Sequence, residues 1–103
     1  MAYANGKGVP EDNAKAVYWY RRAAEQGYAK AQYILGLVYD EGEGVPEDFV
    51  RAYAWTSIAA AQGNENAKKN KGIIRGVMAS AQIAKGQELS SELWEKYVVP
   101  FQN

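Results

Sequence analysis

Residues Gly6–Asp12 read GKGVPED and Gly42–Asp48 read GEGVPED, an offset of 36 residues. The correspondence runs on through the flanks. Tyr3 matches Tyr39, Ala16 matches Ala52, Trp19 matches Trp55, Ala23-Ala24 match Ala59-Ala60, Gln26-Gly27 match Gln62-Gly63, and Ala31 matches Ala67. Aligned as 1–31 on 37–67, the copies agree at 14 of 31 positions. This duplication constrains the fold more than any bulk property does. A unit of this length cannot bury its own apolar face, so copies must stack into an array.

Each copy predicts two helices. In YAKAQYILGLVYDEG, Ala31, Leu35 and Val38-Tyr39 recur at three-to-four spacing and make one apolar stripe. Gly42 ends that helix, because glycine accepts the left-handed conformation of a helix C-terminus. Pro46 belongs at or before a first turn, and Asp48 is the expected N-cap of the next helix. That helix, FVRAYAWTSIAAAQG, places Ala52, Trp55, Ala59 and Ala60 on one face and stops at Gly63. The first copy repeats the pattern with Ala16, Trp19, Ala23, Ala24 and Gly27. The alanines let helices approach closely, and Trp19, Trp55 and Tyr39 are expected to fill the wider gaps as core. Tyr18, Tyr28 and Tyr33 fall off the matched set and are the aromatics expected at the surface.

The remaining composition narrows the function. With no cysteine and no histidine, thiol nucleophiles, disulfides, thiolate zinc sites and Ser-His-Asp catalysis are excluded. Twelve basic and twelve acidic side chains cancel, so no net field favours nucleic acid or anionic lipid. The Lys68–Lys71 run reads as a solvated helix face. No apolar run approaches the roughly 20 residues of a membrane-spanning helix, and MAYANGKG lacks the pattern of a signal peptide. The sequence assigns no compartment. The glycine-rich loop is no phosphate cradle, since a helix precedes it and Glu43, Glu47 and Asp48 would repel an anion. Its carboxylates lack EF-hand spacing, and the first copy has Asn5 and Lys7 where the second has Glu41 and Glu43. Nothing forces Glu11, Glu25, Glu65 or Glu92 into a catalytic pocket. No enzyme activity, metal or cofactor is expected.

Leu35-Gly36-Leu37-Val38-Tyr39, Gly42-x-Gly44-Val45-x-x-Asp48, Ala52-x-x-Trp55 and Ala59-Ala60-x-Gln62-Gly63 together resemble the Sel1-like repeat, a relative of the tetratricopeptide repeat. The resemblance covers about residues 1 to 72. It implies an all-α fold, a right-handed α/α superhelix whose concave side, lined by first helices, contacts other proteins. Members of the family serve as scaffolds and adaptors. The cysteines that mark the relatives associated with β-lactam binding are absent here, so that activity is not implied.

The chain departs from the pattern in three places. Only MAYAN represents the first helix of copy one. Thr56 stands where Tyr20 and the family have an aromatic. The third copy fades after Ala67, with Lys71 in place of Leu35 and Arg75 in place of Tyr39. Residues 64–79 still predict a helix capped by Asn64, with Ala67, Ile74, Val77 and Met78 as its apolar set. Residues 80–98 predict a capping helix started by Ser80, with Ile83, Leu89, Leu93, Trp94 and Tyr97 as a stripe, weakened by Gly86 and Ser90-Ser91 and ended by Pro100. The expected division is therefore 1–27 (partial repeat), 28–63 (full repeat), 64–79 (degenerate helix) and 80–98 (cap). The truncated first copy suggests the C-terminal piece of a longer array, with an N-terminal end open to self-association.

Function is expected on helix surfaces. On the helix 29–41, Lys30, Tyr33, Leu37 and Asp40 form a stripe away from the matched core positions. Adding 36 gives Asn66, Lys69, Ile73 and Gly76 on the third-segment helix. This mixed strip suits an extended peptide or a partner helix, so the partner class is another protein, not nucleic acid or membrane. A purely structural role, through oligomerisation, is the alternative.

Overall fold

The computed structural model describes residues 10–42 and 44–102. They form α1 (Pro10–Ala24), α2 (Ala29–Glu41), α3 (Phe49–Ala61), α4 (Glu65–Gly76) and α5 (Ser80–Tyr97), followed by a 3₁₀ turn at Val99–Phe101. Among the described residues there is no strand. The first helix of copy one and its loop up to Val9 lie outside the described residues; Pro10 to Asp12, which match the loop residues Pro46 to Asp48 of copy two, already belong to α1.

The loop after α2 is a corner held at both ends. Gly42 adopts φ 71°, and its N–H donates to the Val38 carbonyl at 2.8 Å. Six residues later the Asp48 N–H donates to Tyr39 O at 2.9 Å, while Asp48 Oδ1 accepts from the Arg51 N–H at 3.0 Å. Carboxylate and glycine thus fix the angle between α2 and α3 by satisfying free backbone groups. Asn64 starts α4 in the same manner, accepting from the Ala67 N–H at 2.8 Å.

The start of α5 differs from expectation. Ala79, not Ser80, is the flanking residue, and Gln82 Oε1 accepts the Ala79 N–H at 2.9 Å. The glutamine supplies the return half of a capping box, so no hydroxyl is needed and the helix begins one residue earlier. At the far end Pro100 does not end regular structure. It sits inside the 3₁₀ turn, where its missing N–H has no bond to make.

The core centres on α3, in which every residue from Ala52 to Ala60 is buried. This helix packs against α2, α4 and α5, whereas α1 packs against α2. Leu35, Val38 and Tyr39 of α2, Ile74 of α4 and Leu93 of α5 close over Tyr53, Trp55 and Ile58. Gln32, fully buried, donates to Ala24 O at 3.0 Å and accepts from Gln62 Nε2, linking the ends of α1 and α3 through α2. Its amide is satisfied on both sides, as burial requires.

Two residues expected in the core are not in it. Trp55 is 6% exposed and stacks on Tyr97, but Trp19, its counterpart, is 64% exposed. The ring of Trp55 is covered because α5 crosses α3, and no described element crosses α1 in that way. Val77 is 62% exposed because α4 has already ended at Gly76, which takes Val77 out of the helical register.

Gly86, expected only to weaken α5, is where that helix meets α3. A Cβ there would lie 2.7 Å from Cδ2 of the buried Tyr53 ring. The terminal turn also folds back on the array. Val98 is buried, and Phe101 and the Tyr97 carbonyl close over Gly27, which holds φ 91° in the turn between α1 and α2.

Candidate protein-binding surface

The strip is built from α2 and α4, first helices of successive pairs, which also meet each other directly. Residues at i, i+3, i+7 and i+10 share a helix face. On α2 this face carries exposed Lys30 and half-buried Tyr33, Leu37 and Asp40. On α4 it carries exposed Asn66 and Lys69, and Ile73 at 67% exposure. Tyr33, expected at the surface, is instead half-buried. It packs against the small cluster of Ala59, Ala60 and Ala67, and so fills the seam between α2 and α4. Tyr18 and Tyr28 are exposed as expected.

The charges of the α2 strip oppose the helix that bears them. Lys30 sits in the first turn, where the helix dipole is positive, and Asp40 sits in the last, where it is negative. Burial also raises the Asp40 carboxyl above its ordinary range, by disfavouring the charged form. Both placements are unfavourable for folding.

The Lys68–Lys71 run does not form one solvated face. Lys68 pairs with Glu65 at 3.0 Å and Lys69 belongs to the strip. Lys71, by contrast, is half-buried with Nζ 5.8 Å from the centroid of the Tyr53 ring. It borders a cleft between α4 and α5 that reasoning from the strip missed. The signal was present in the repeat alignment, since a lysine occupies the position of a core leucine. Tyr39, by the first loop, is held by arginine from both neighbouring helices: Arg21 donates to its hydroxyl, and Arg21 and Arg51 lie 5.9 and 5.8 Å from its ring centroid.

Among the described residues no group of three or more acidic side chains is placed to hold a metal ion, and no helix is long and apolar enough to cross a membrane. The sequence profile of the Sel1 repeat matches residues 1–28 and 29–64. Among solved structures, the chain is similar to a protective antigen present in uropathogenic Escherichia coli strains and displaying an SLR fold. The two are 37% identical with a TM-score of 0.86, over 97% of this chain and 22% of that one. The chain thus spans under a quarter of that protein's length. No curated protein matches the chain. The profile and the structural likeness agree on an all-α repeat solenoid of a kind that generally serves protein interaction.

Proposed function

Because this chain belongs to the Sel1 repeat family, we propose that it is a non-catalytic interaction module that captures an extended peptide or a partner helix on the α2–α4 strip. One observation carries this. Lys30 and Asp40 stand at the ends of α2 where each opposes the helix dipole, so this face keeps charges that folding alone would not select. Between them Tyr33, Leu37 and Ile73 offer apolar area, and Lys69 and Asn66 offer polar contacts, the composition of a groove that reads a peptide. Along the chain, the module divides into 1–27, 28–63, 64–79 and 80–98.

The double variant Lys30→Glu/Asp40→Lys separates stability from binding. It should stabilise α2 by about 0.5–1 kcal/mol, seen as a Tm rise of about 4 °C, and lose partners captured by the wild type. Tyr33→Ala/Lys69→Glu should lose the same partners. If both variants retain the wild-type partner set, the strip is not the binding surface.

A second reading is favoured by Trp19, which lies exposed beside Tyr18 in an edge-on pair with 5.0 Å between ring centroids. Here the α1 face joins two copies of the chain. Light scattering decides between them: a monomer at high concentration removes self-association, whereas a dimer converted to monomer by Trp19→Ala supports it.

A further inference from the structure

The strip of α2 and α4 is built in layers. Each of the two helices packs on α3 across a short connection, so they run in the same direction. The 36-residue offset then sets Lys30 level with Asn66, Tyr33 with Lys69, Leu37 with Ile73 and Asp40 with Gly76. Cations occupy the first two layers, apolar side chains the second and third, and a carboxylate the fourth. At 1.5 Å of rise per residue, Asp40 stands about 10–15 Å along the helices from the two lysines.

The other charges of these elements do not cancel that order. Glu65, the only carboxylate of α4, is paired with Lys68 at 3.0 Å. Arg75 is two residues from Ile73, about 200° around α4, and so lies off the strip. Arg21 and Arg51 are drawn to Tyr39. Lys30, Lys69 and Asp40 have no ion-pair partner among the described residues, and Glu41 adds a second carboxylate next to Asp40 in the chain. The fourth layer also has room. A Cβ at Gly76 would meet nothing within 4 Å, so a long side chain can lie beside Asp40. A cation arriving there restores the charged form of a carboxyl that burial holds above its ordinary range.

Resting on the reading of the strip as a peptide groove, we propose that its occupant is an extended segment of another protein with an acidic and a basic side chain four residues apart and an apolar one midway. In a strand, residues two apart share a face and residues four apart span about 13 Å, which matches the distance from the lysines to Asp40. The acidic side chain pairs with Lys30 and Lys69, the apolar one lies on Leu37 and Ile73, and the basic one enters the space beside Asp40. The exposed amide of Asn66 makes no hydrogen bond to any described residue. It can both donate to and accept from one peptide unit of an extended chain, whereas a helix has already used those groups internally. Opposite charges at the two ends also order the ligand along the groove, which a uniformly charged strip could not do.

The test uses three capped peptides with leucine at the centre and threonine at alternate positions, a composition that favours the extended state. Two residues to either side of the leucine they carry glutamate and lysine, two glutamates, or two lysines. Each is titrated into the full chain and followed by backbone amide NMR shifts. The glutamate–lysine peptide should give saturable shifts at residues 30–40 and 66–76. It should bind about threefold or more tighter than either like-charged peptide, the size expected of exposed ion pairs. Asp40→Lys places a cation at a helix C-terminus, which favours folding, and should make the two-glutamate peptide the tightest. Lys30→Glu/Lys69→Glu should make the two-lysine peptide the tightest. Strip shifts of equal affinity for all three peptides, or an Asp40→Lys protein that keeps the wild-type order, overturn the proposal and leave the strip as a peptide groove. No saturable strip shifts with any of the three overturn both. Tighter binding of a helical alanine-based peptide with glutamate and lysine ten residues apart identifies a partner helix, and strip shifts that grow with protein concentration alone identify a second copy; either overturns the proposal.

Discussion

Trp19 and Trp55 occupy the same place in two copies of one unit, and their surroundings divide them. Trp55 lies under α5 against Tyr97, while Trp19 is mostly in solvent. Truncating Trp55 to alanine should therefore remove about 3–5 kcal/mol of stability, a large share of what a domain of this size possesses. Trp19→Ala should change it by no more than about 1 kcal/mol. Urea unfolding of the two variants checks the pair, and equal losses would show that the repeat position, not the cover, sets the energy. The same contrast explains what was legible at single residues. Asp48 and Asn64 could be read as caps because a cap needs only the amides of its own next turn. The exposure of Trp19 could not, because cover depends on an element elsewhere in the chain. The alignment records which positions correspond, and burial depends on whether a neighbour is there.

Between elements, glycine carries information that propensity hides. Gly86 counts as a weak point within α5, yet it is what lets α5 settle on Tyr53. Gly36 plays the same part between α2 and α3: a Cβ there would overlap the Thr56 hydroxyl and stand 3.2 Å from Ala52 O. Thr56, smaller than the aromatic of the first copy, leaves room for that approach. Gly72 of α4 has open space in its Cβ direction. Gly86→Ala should then destabilise by about 1–3 kcal/mol through overpacking, although alanine is the better helix former. Gly72→Ala should stabilise by about 0.5–1 kcal/mol from propensity alone. Thermal unfolding of the two proteins distinguishes packing from propensity, and gains of equal size would exclude the close approach at Gly86. The strip was legible as a face because its spacing is helical. The half-burial of Tyr33 was not, since the alanines it covers come from α3 and α4. The cleft was legible only as an anomaly, a lysine aligned with a leucine, because the separation of α4 from α5 is a property of three helices together.

Across the whole molecule, the array is not a simple line of neighbours. A solenoid unit ordinarily touches only the units beside it, so stability adds along the chain. Here the segment after α5 reaches the α1–α2 turn, where Phe101 and the Tyr97 carbonyl cover Gly27. Removing residues 98–103 should thus loosen both ends of the array. We expect a loss of about 2–3 kcal/mol from Val98 and the turn that follows it, with faster amide hydrogen exchange at residues 24–28 as well as at the end of α5. Faster exchange confined to α5 would show that the far turn is not coupled to it. This arrangement also sets the order in which the protein can finish folding as it is made. Trp55 waits for Tyr97, 42 positions later, and Gly27 waits for Phe101, 74 positions later. At roughly 5–20 residues per second, the Trp55 ring stays uncovered for about 2–8 s of synthesis. The helices that make up the strip emerge before the residues that close the array around them, so an early partner would meet the strip on an unfinished chain.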